Sequence, residues 1–121
     1  MMDQEKYYFK RSSHDLEIGN YFDDLDEDEL AVLRQLAREL DYEEIAYKFD
    51  LDEEVVEQIG ENLLQKLIPV AHLMSSKPLK DTGVVTAEVK NLIIEAFNYE
   101  MDFRKERGEY IRRKGLSHVP V

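Results

Sequence analysis

The stretch "DYEEIAYKFDLDEEVVEQIGENLLQKL", residues 41–67, decides the fold. Ile45, Ala46 and Phe49 mark one face of a short helix from about Tyr42 to Phe49, with Asp41 ahead of it as a cap. Val55, Val56, Ile59, Leu63, Leu64 and Leu67 mark a second apolar stripe, capped by Asp52. Between them "FDLD" leaves room only for a turn. Pro69 ends or kinks the second helix, because proline removes a helix hydrogen bond.

A third helix lies upstream in "DLDEDELAVLRQLAREL". Asp26 can cap it, and Glu29 three residues on completes a capping-box pattern. Asp28 and Glu29 sit in the first turn, where the helix dipole favours anions. Leu30, Leu33, Ala37 and Leu40 follow helical spacing, widened by Val32 and Leu36. Helices are therefore expected near 27–38, 42–49 and 53–67. Downstream, "SSKPLKDTG" reads as a loop. Thr86 then caps a long helix near 87–106, and Gly108 is its natural stop. Val89, Leu92, Ala96, Tyr99 and Phe103 keep a 3–4 spacing there, extended by Ile93, Phe97 and Met101. Upstream of everything, "KYYFKR" reads as a strand or an arm, and "SSHDLEIGNYF" as room for a helical turn capped by Ser13. The fold class is all-α, a tri-helical core plus a long C-terminal helix.

The chain has 121 residues, 43% of them apolar, with seven Tyr and five Phe. That is one folded domain with a modest core, too apolar for a disordered acidic chain. It has no Cys, which excludes a disulfide framework, a thiolate metal site and a Cys nucleophile. No apolar run approaches the ~20 residues of a membrane span, and the N-terminus lacks the apolar core of a secretory signal, so the expected compartment is the cytoplasm. The formal net charge is −11. From Phe22 to Lys66 sixteen acids face four bases, a balance of −12, while the remainder carries eleven acids and twelve bases. A surface of that sign repels nucleic acid and attracts basic partners.

Residues Leu25 to Leu67 resemble the helix-turn-helix of LuxR-type and response-regulator output domains, and more distantly region four of bacterial sigma factors. The match runs without a gap over about a third of the chain. Leu25, Glu29, Val32, Leu33, Leu36 and Ala37 sit where that family's first helix has its signature residues. Glu44, Ile45 and Ala46 form its "EIA" step, and Phe49 and Leu51 occupy the apolar positions flanking the turn. Val56, Leu63, Leu64, Lys66 and Leu67 match the frame and end of its recognition helix. Asp50 replaces the usual turn glycine, which Asp can do because it tolerates a left-handed backbone. Asp52 replaces the usual capping Ser. The Thr-Val-Lys step is here Val55, Val56, Glu57, and the DNA-facing positions are Glu53, Glu54, Gln58, Gly60 and Glu61. Duplex DNA carries one negative charge per ~1.7 Å of axis, so glutamates in its groove oppose binding. A Glu accepting from a cytosine amine specifies but does not supply affinity.

The implied organisation is an N-terminal arm at 1–21, an acidic helix-turn-helix-like domain at 22–74, a loop at 75–85, a C-terminal helix at 86–107 and a basic tail at 108–121. The implied function is transcription regulation by protein contact. Tyr42, Tyr47, Glu53, Glu54, Glu57, Gln58 and Glu61 would meet a basic surface on RNA polymerase, a sigma factor or a DNA-binding regulator. The alternative is a DNA-binding regulator whose phosphate contacts come from Arg104, Lys105, Arg107, Arg112, Arg113 and Lys114, with Lys6, Lys10 and Arg11 of the arm. The end of the last helix's wide apolar face, Tyr99, Met101 and Phe103, fits either a homodimer contact or a cover formed when "KYYF" folds back within one chain.

The same residues argue against other chemistries. His14, His72 and His118 lack metal-ligand spacing. "DDLDEDEL" places Asp24, Asp26 and Asp28 at calcium-loop intervals, but its sixth position is Glu29 and its twelfth Gln35, where the loop needs Gly and Glu. No carboxylate pair has an apolar setting, and no nucleophile elbow surrounds Ser12, Ser13, Ser75, Ser76 or Ser117. Tyr7, Tyr8 and Phe9 suit packing of the arm better than base stacking, which calls for more nearby cations. Neither enzyme activity nor a cofactor is expected.

Overall fold

Capping decides where the helices begin. In the computed structural model, which describes residues 12–79 and 83–113, six helices follow in order: α1 Ser13–Asp23, α2 Glu27–Ala37, α3 Tyr42–Phe49, α4 Glu53–Lys66, α5 Ile68–Met74 and α6 Ala87–Arg113. Among the described residues there is no strand, and no helix is long and apolar enough to cross a membrane. The protein is all-α. Asp26 Oδ1 accepts from Glu29 N–H at 2.8 Å while Glu29 Oε1 accepts from Asp26 N–H at 3.1 Å. Asp41 and Glu44 repeat that reciprocal box at the start of α3. Thr86 Oγ1 accepts from Val89 N–H at 3.1 Å and opens α6. Asp52 stands at the N-cap of α4, but its side chain makes no cap bond.

The ends of α2 and α3 share one device. Glu39 and Asp50 take left-handed backbones, with φ of 68° and 55°. Leu40 N–H then reaches back to Gln35 O, and Leu51 N–H to Ala46 O, the six-to-one bond of a Schellman motif. Asp50 fills the role expected of it. Glu39 had no such signal, since glutamate is a poor left-handed residue.

The architecture differs from expectation in three places. The segment assigned to an arm, with at most a helical turn, is the eleven-residue helix α1, capped by Ser12 rather than Ser13. Ile18, Gly19 and Phe22 on it are buried. The helix before Pro69 ends there as expected, but a further short helix follows at once. Leu67 closes α4 and Pro69 enters the first turn of α5, where its missing N–H costs nothing. The last helix continues through Gly108 to Arg113.

One apolar cluster draws on all six helices, from Ile18 and Phe22 through Leu33, Ile45 and Val56 to Val70 and Ile93. α4 packs on α2, α3 and α5, while α6 packs along α5, α2 and α1. The rings of Phe22 and Phe97 meet edge to face at 5.6 Å, which fastens α1 to α6.

Candidate protein-interaction face

The helices turn a carboxylate face outward along α4. Glu53, Glu57 and Glu61 recur at four-residue spacing and all are exposed, as are Glu54 and Gln58. Gln58 Nε2 donates to Asn62 Oδ1 at 3.1 Å. Val56, Leu63 and Leu64 hold the opposite face of α4 in the core, which fixes the outward direction of the glutamates.

Tyr42 and Tyr47, expected together on this face, have different settings. Tyr47 is 91% exposed. Tyr42 is half-buried, and its ring crosses α4 at Gly60. A Cβ at position 60 would stand 2.5 Å from Tyr42 Oη and 2.7 Å from Cζ, so the close approach requires glycine. Burial raises the Tyr42 pKa, and the charges of Glu61 and Glu57 raise it further. Tyr42, Glu61, Asn62, Leu64 and Gln65 line an open cleft of about 460 Å³ together with Val85 and Lys90.

Three residues expected in the apolar frame stand at the surface instead. Phe49 is 37% exposed, Leu51 47% and Val55 45%. The α3–α4 turn explains them. Once Leu51 N–H folds back on Ala46 O, Ile45 and Ala46 fill the space above α4, and the residues beyond face solvent. Period counting placed Phe49 and Val55 on helical stripes but did not mark where each stripe left the core.

Several cations are engaged internally. Lys66 Nζ meets Glu29 Oε2 at 2.7 Å, where the Glu29 side chain is only 7% exposed. The hydrogen bond to Glu29 raises the Lys66 pKa, against a smaller opposing effect of desolvation. Lys48 Nζ donates to Gln35 Oε1 at 2.8 Å, tying α3 to α2. Arg104, considered as a phosphate contact, spans Glu100 Oε2 at 2.6 Å and Asp23 Oδ1 at 2.7 Å. Burial alone would lower its pKa, but the two carboxylates outweigh that and raise it. Lys105 is exposed and Arg107 half-buried. The side chains of Arg112 and Arg113, and all of Lys114, lie outside the described residues, as do Lys6, Lys10, Arg11 and the "KYYF" segment.

Compared with family models, curated proteins and solved structures, the chain matches none. The chemistry of the face therefore rests on its own geometry. Among the described residues no three His, Asp or Glu side chains gather to hold a metal ion.

The residues considered for self-association separate in the same way. Tyr99 is 58% exposed, Met101 packs against the core, and Phe103 is half-buried. Phe103 lines a cleft of about 360 Å³ between α1 and α6 with Leu16, Gly19 and Asn20. The helix α1, longer than the helical turn expected there, thus lies beside Phe103 and leaves Tyr99 outward.

Proposed function

We propose that residues 25–67 form a helix-turn-helix-type core that acts in transcription regulation by contacting protein, not by reading DNA. The three-residue link between α3 and α4, the left-handed Asp50 within it, and the packing of α2 and α3 on α4 support the fold part of this reading. The observation that carries the functional part is the outward row Glu53, Glu54, Glu57 and Glu61. These side chains stand where the resembled family places its DNA-facing residues. In a groove they would leave phosphate charge uncompensated. Facing a basic surface on RNA polymerase, a sigma factor or a DNA-binding regulator, they favour fast, salt-sensitive association.

The test pairs two measurements on the full chain. Electrophoretic shift with random duplex at low salt should show no complex for the wild type and a complex once the four glutamates are changed to Lys. Affinity purification from the native host should retain a transcription component, which the same four positions changed to Gln should release. Tight duplex binding by the wild type, lost on Gln58→Ala, would overturn the reading.

A further inference from the structure

Seven large apolar side chains stand exposed among the described residues, and four of them, Tyr47, Phe49, Leu51 and Val55, fall within nine positions around the α3–α4 turn. Exposed apolar residues scattered singly need no explanation, but a cluster on a small surface does. These four are interleaved with carboxylates. Asp50, Asp52, Glu53 and Glu54 lie between them in sequence, Glu43 and Glu44 precede them on α3, and Glu57 follows on α4, all exposed. Lys48, the cation inside the stretch, is held on Gln35 of α2. The result is a turn along which exposed apolar side chains alternate with exposed carboxylates. Apolar side chains bordered by polar ones are what a protein-binding surface offers a partner.

We infer that this turn is the docking site for a segment of a partner protein that carries bulky apolar side chains flanked by Lys or Arg. The inference rests on the protein-contact reading above and names the chemistry of the partner. Charge complementarity selects the occupant. An acidic segment is repelled by these seven carboxylates. A duplex is repelled too, and offers nothing to cover Tyr47 and Val55. A cationic segment without apolar side chains would satisfy the carboxylates but leave the apolar side chains wet. A second copy of this chain brings the same acidic turn to the contact and meets like charge. Tyr47 is the natural anchor, since a tyrosine brings a large rigid area at low entropic cost and is enriched among binding hot spots. Its 91% exposure leaves the ring free to be covered.

The experiment uses fluorescence anisotropy of two labelled synthetic peptides against the full chain. One alternates Lys with Leu at helical spacing, and the other has the same Lys with each Leu replaced by Gln. The Leu-bearing peptide should bind at least about tenfold more tightly, equivalent to about 1.4 kcal/mol. Tyr47→Ser and Val55→Ser should each remove most of that advantage while leaving the Gln-bearing peptide unchanged. Both positions are exposed, and unchanged thermal melts would show the fold intact. Equal affinity for the two peptides, or an advantage that survives both substitutions, overturns the docking site. The acidic-face reading would still stand if the four Glu→Gln changes on α4 released the host partner. Failure of either cationic peptide to bind, with no partner released by those changes, ends both.

Discussion

At Gly60 two residue-scale preferences oppose each other. Alanine in a helix interior is better than glycine by about 1 kcal/mol, yet a Cβ here meets the Tyr42 ring. The ring is half-buried and can swing outward, so Gly60→Ala should change stability by less than about 1 kcal/mol while moving the tyrosine. The sensitive readout is the Tyr42 hydroxyl. Its pKa is raised in the fold, first by burial and then by Glu61 and Glu57, so the neutral form is favoured in the folded state. That contribution to stability is present below the unfolded value of about 10 and is lost as pH rises through the folded value. Tyrosine-labelled NMR titration should place the wild-type hydroxyl above its ordinary range and Gly60→Ala closer to it. An unmoved Tyr42 in the variant would mean that the helix yields instead of the ring. Lys66 acts in the same sense. Held on Glu29, its raised pKa contributes stability below its ordinary value that is lost in more alkaline solution. A different strain resides at Glu39, whose φ of 68° suits glycine. Glu39→Gly should stabilise by roughly 0.5–1 kcal/mol, because a left-handed L-residue costs about 1–2 kcal/mol and glycine returns part of it in unfolded-state entropy. Denaturant unfolding with an unchanged slope would measure it, and a loss of stability would place the strain elsewhere.

At the scale of the element, legibility followed the strength of local chemistry. The start of α2 could be read because Asp26 and Glu29 form a reciprocal box that depends on four consecutive residues alone. The left-handed turn at Asp50 was equally local. The helix α1 was not legible, because its sequence offers only Ile18 and Phe22 as a buried pair amid Gly19 and Asn20, and packing on α5 and α6 supplies what propensity does not. Pro69 marked the end of α4 but gave no sign of α5, since the residue that stops one helix also suits the first turn of the next. The carboxylates of the candidate face were visible in the sequence. The exposure of its apolar side chains was not, because spacing assigned Phe49 and Val55 to stripes whose ends only the folded chain defines. The clasp between α1 and α6 was invisible as well, because Asp23 and Arg104 lie 81 positions apart. It carries a prediction. The Glu100 side chain is 2% exposed, while Arg104 retains 37%, so Arg104→Met should destabilise by about 2–3 kcal/mol, less than a wholly buried pair would. Thermal unfolding should show that loss, with hydrogen exchange quickening first in α1. A neutral outcome would mean that α1 is held by Phe22 and Ile18 alone.

Across the whole molecule the net charge of −11 is concentrated between residues 22 and 66, and some of the cations that would balance it are held within the chain. This changes what self-association should look like. The basic sequence from Arg104 to Lys114 suggests a two-fold dimer in which each tail meets the acidic segment of its neighbour, a contact that salt would weaken. Arg104, however, is bound to Asp23 and Glu100, and Met101 packs against the core. Phe103 shares its cleft with Leu16 of α1. Among the described residues the apolar surface left outward at this end is chiefly Tyr99, 58% exposed, and Leu16, 51% exposed. Two copies meeting there gain a small apolar contact and bring two strongly anionic bodies together. Repulsion of this kind is screened as the Debye length falls from about 30 Å at 0.01 M salt to about 8 Å at 0.15 M. Association should therefore be weak and should strengthen with salt across that range. Sedimentation equilibrium at both salt concentrations would decide between the two pictures. The expected result is a rise in dimer with salt that Tyr99→Asp removes and Lys105→Gln leaves alone. A dimer that dissociates with salt, and that Lys105→Gln weakens, would instead restore the pairing of basic tail with acidic segment.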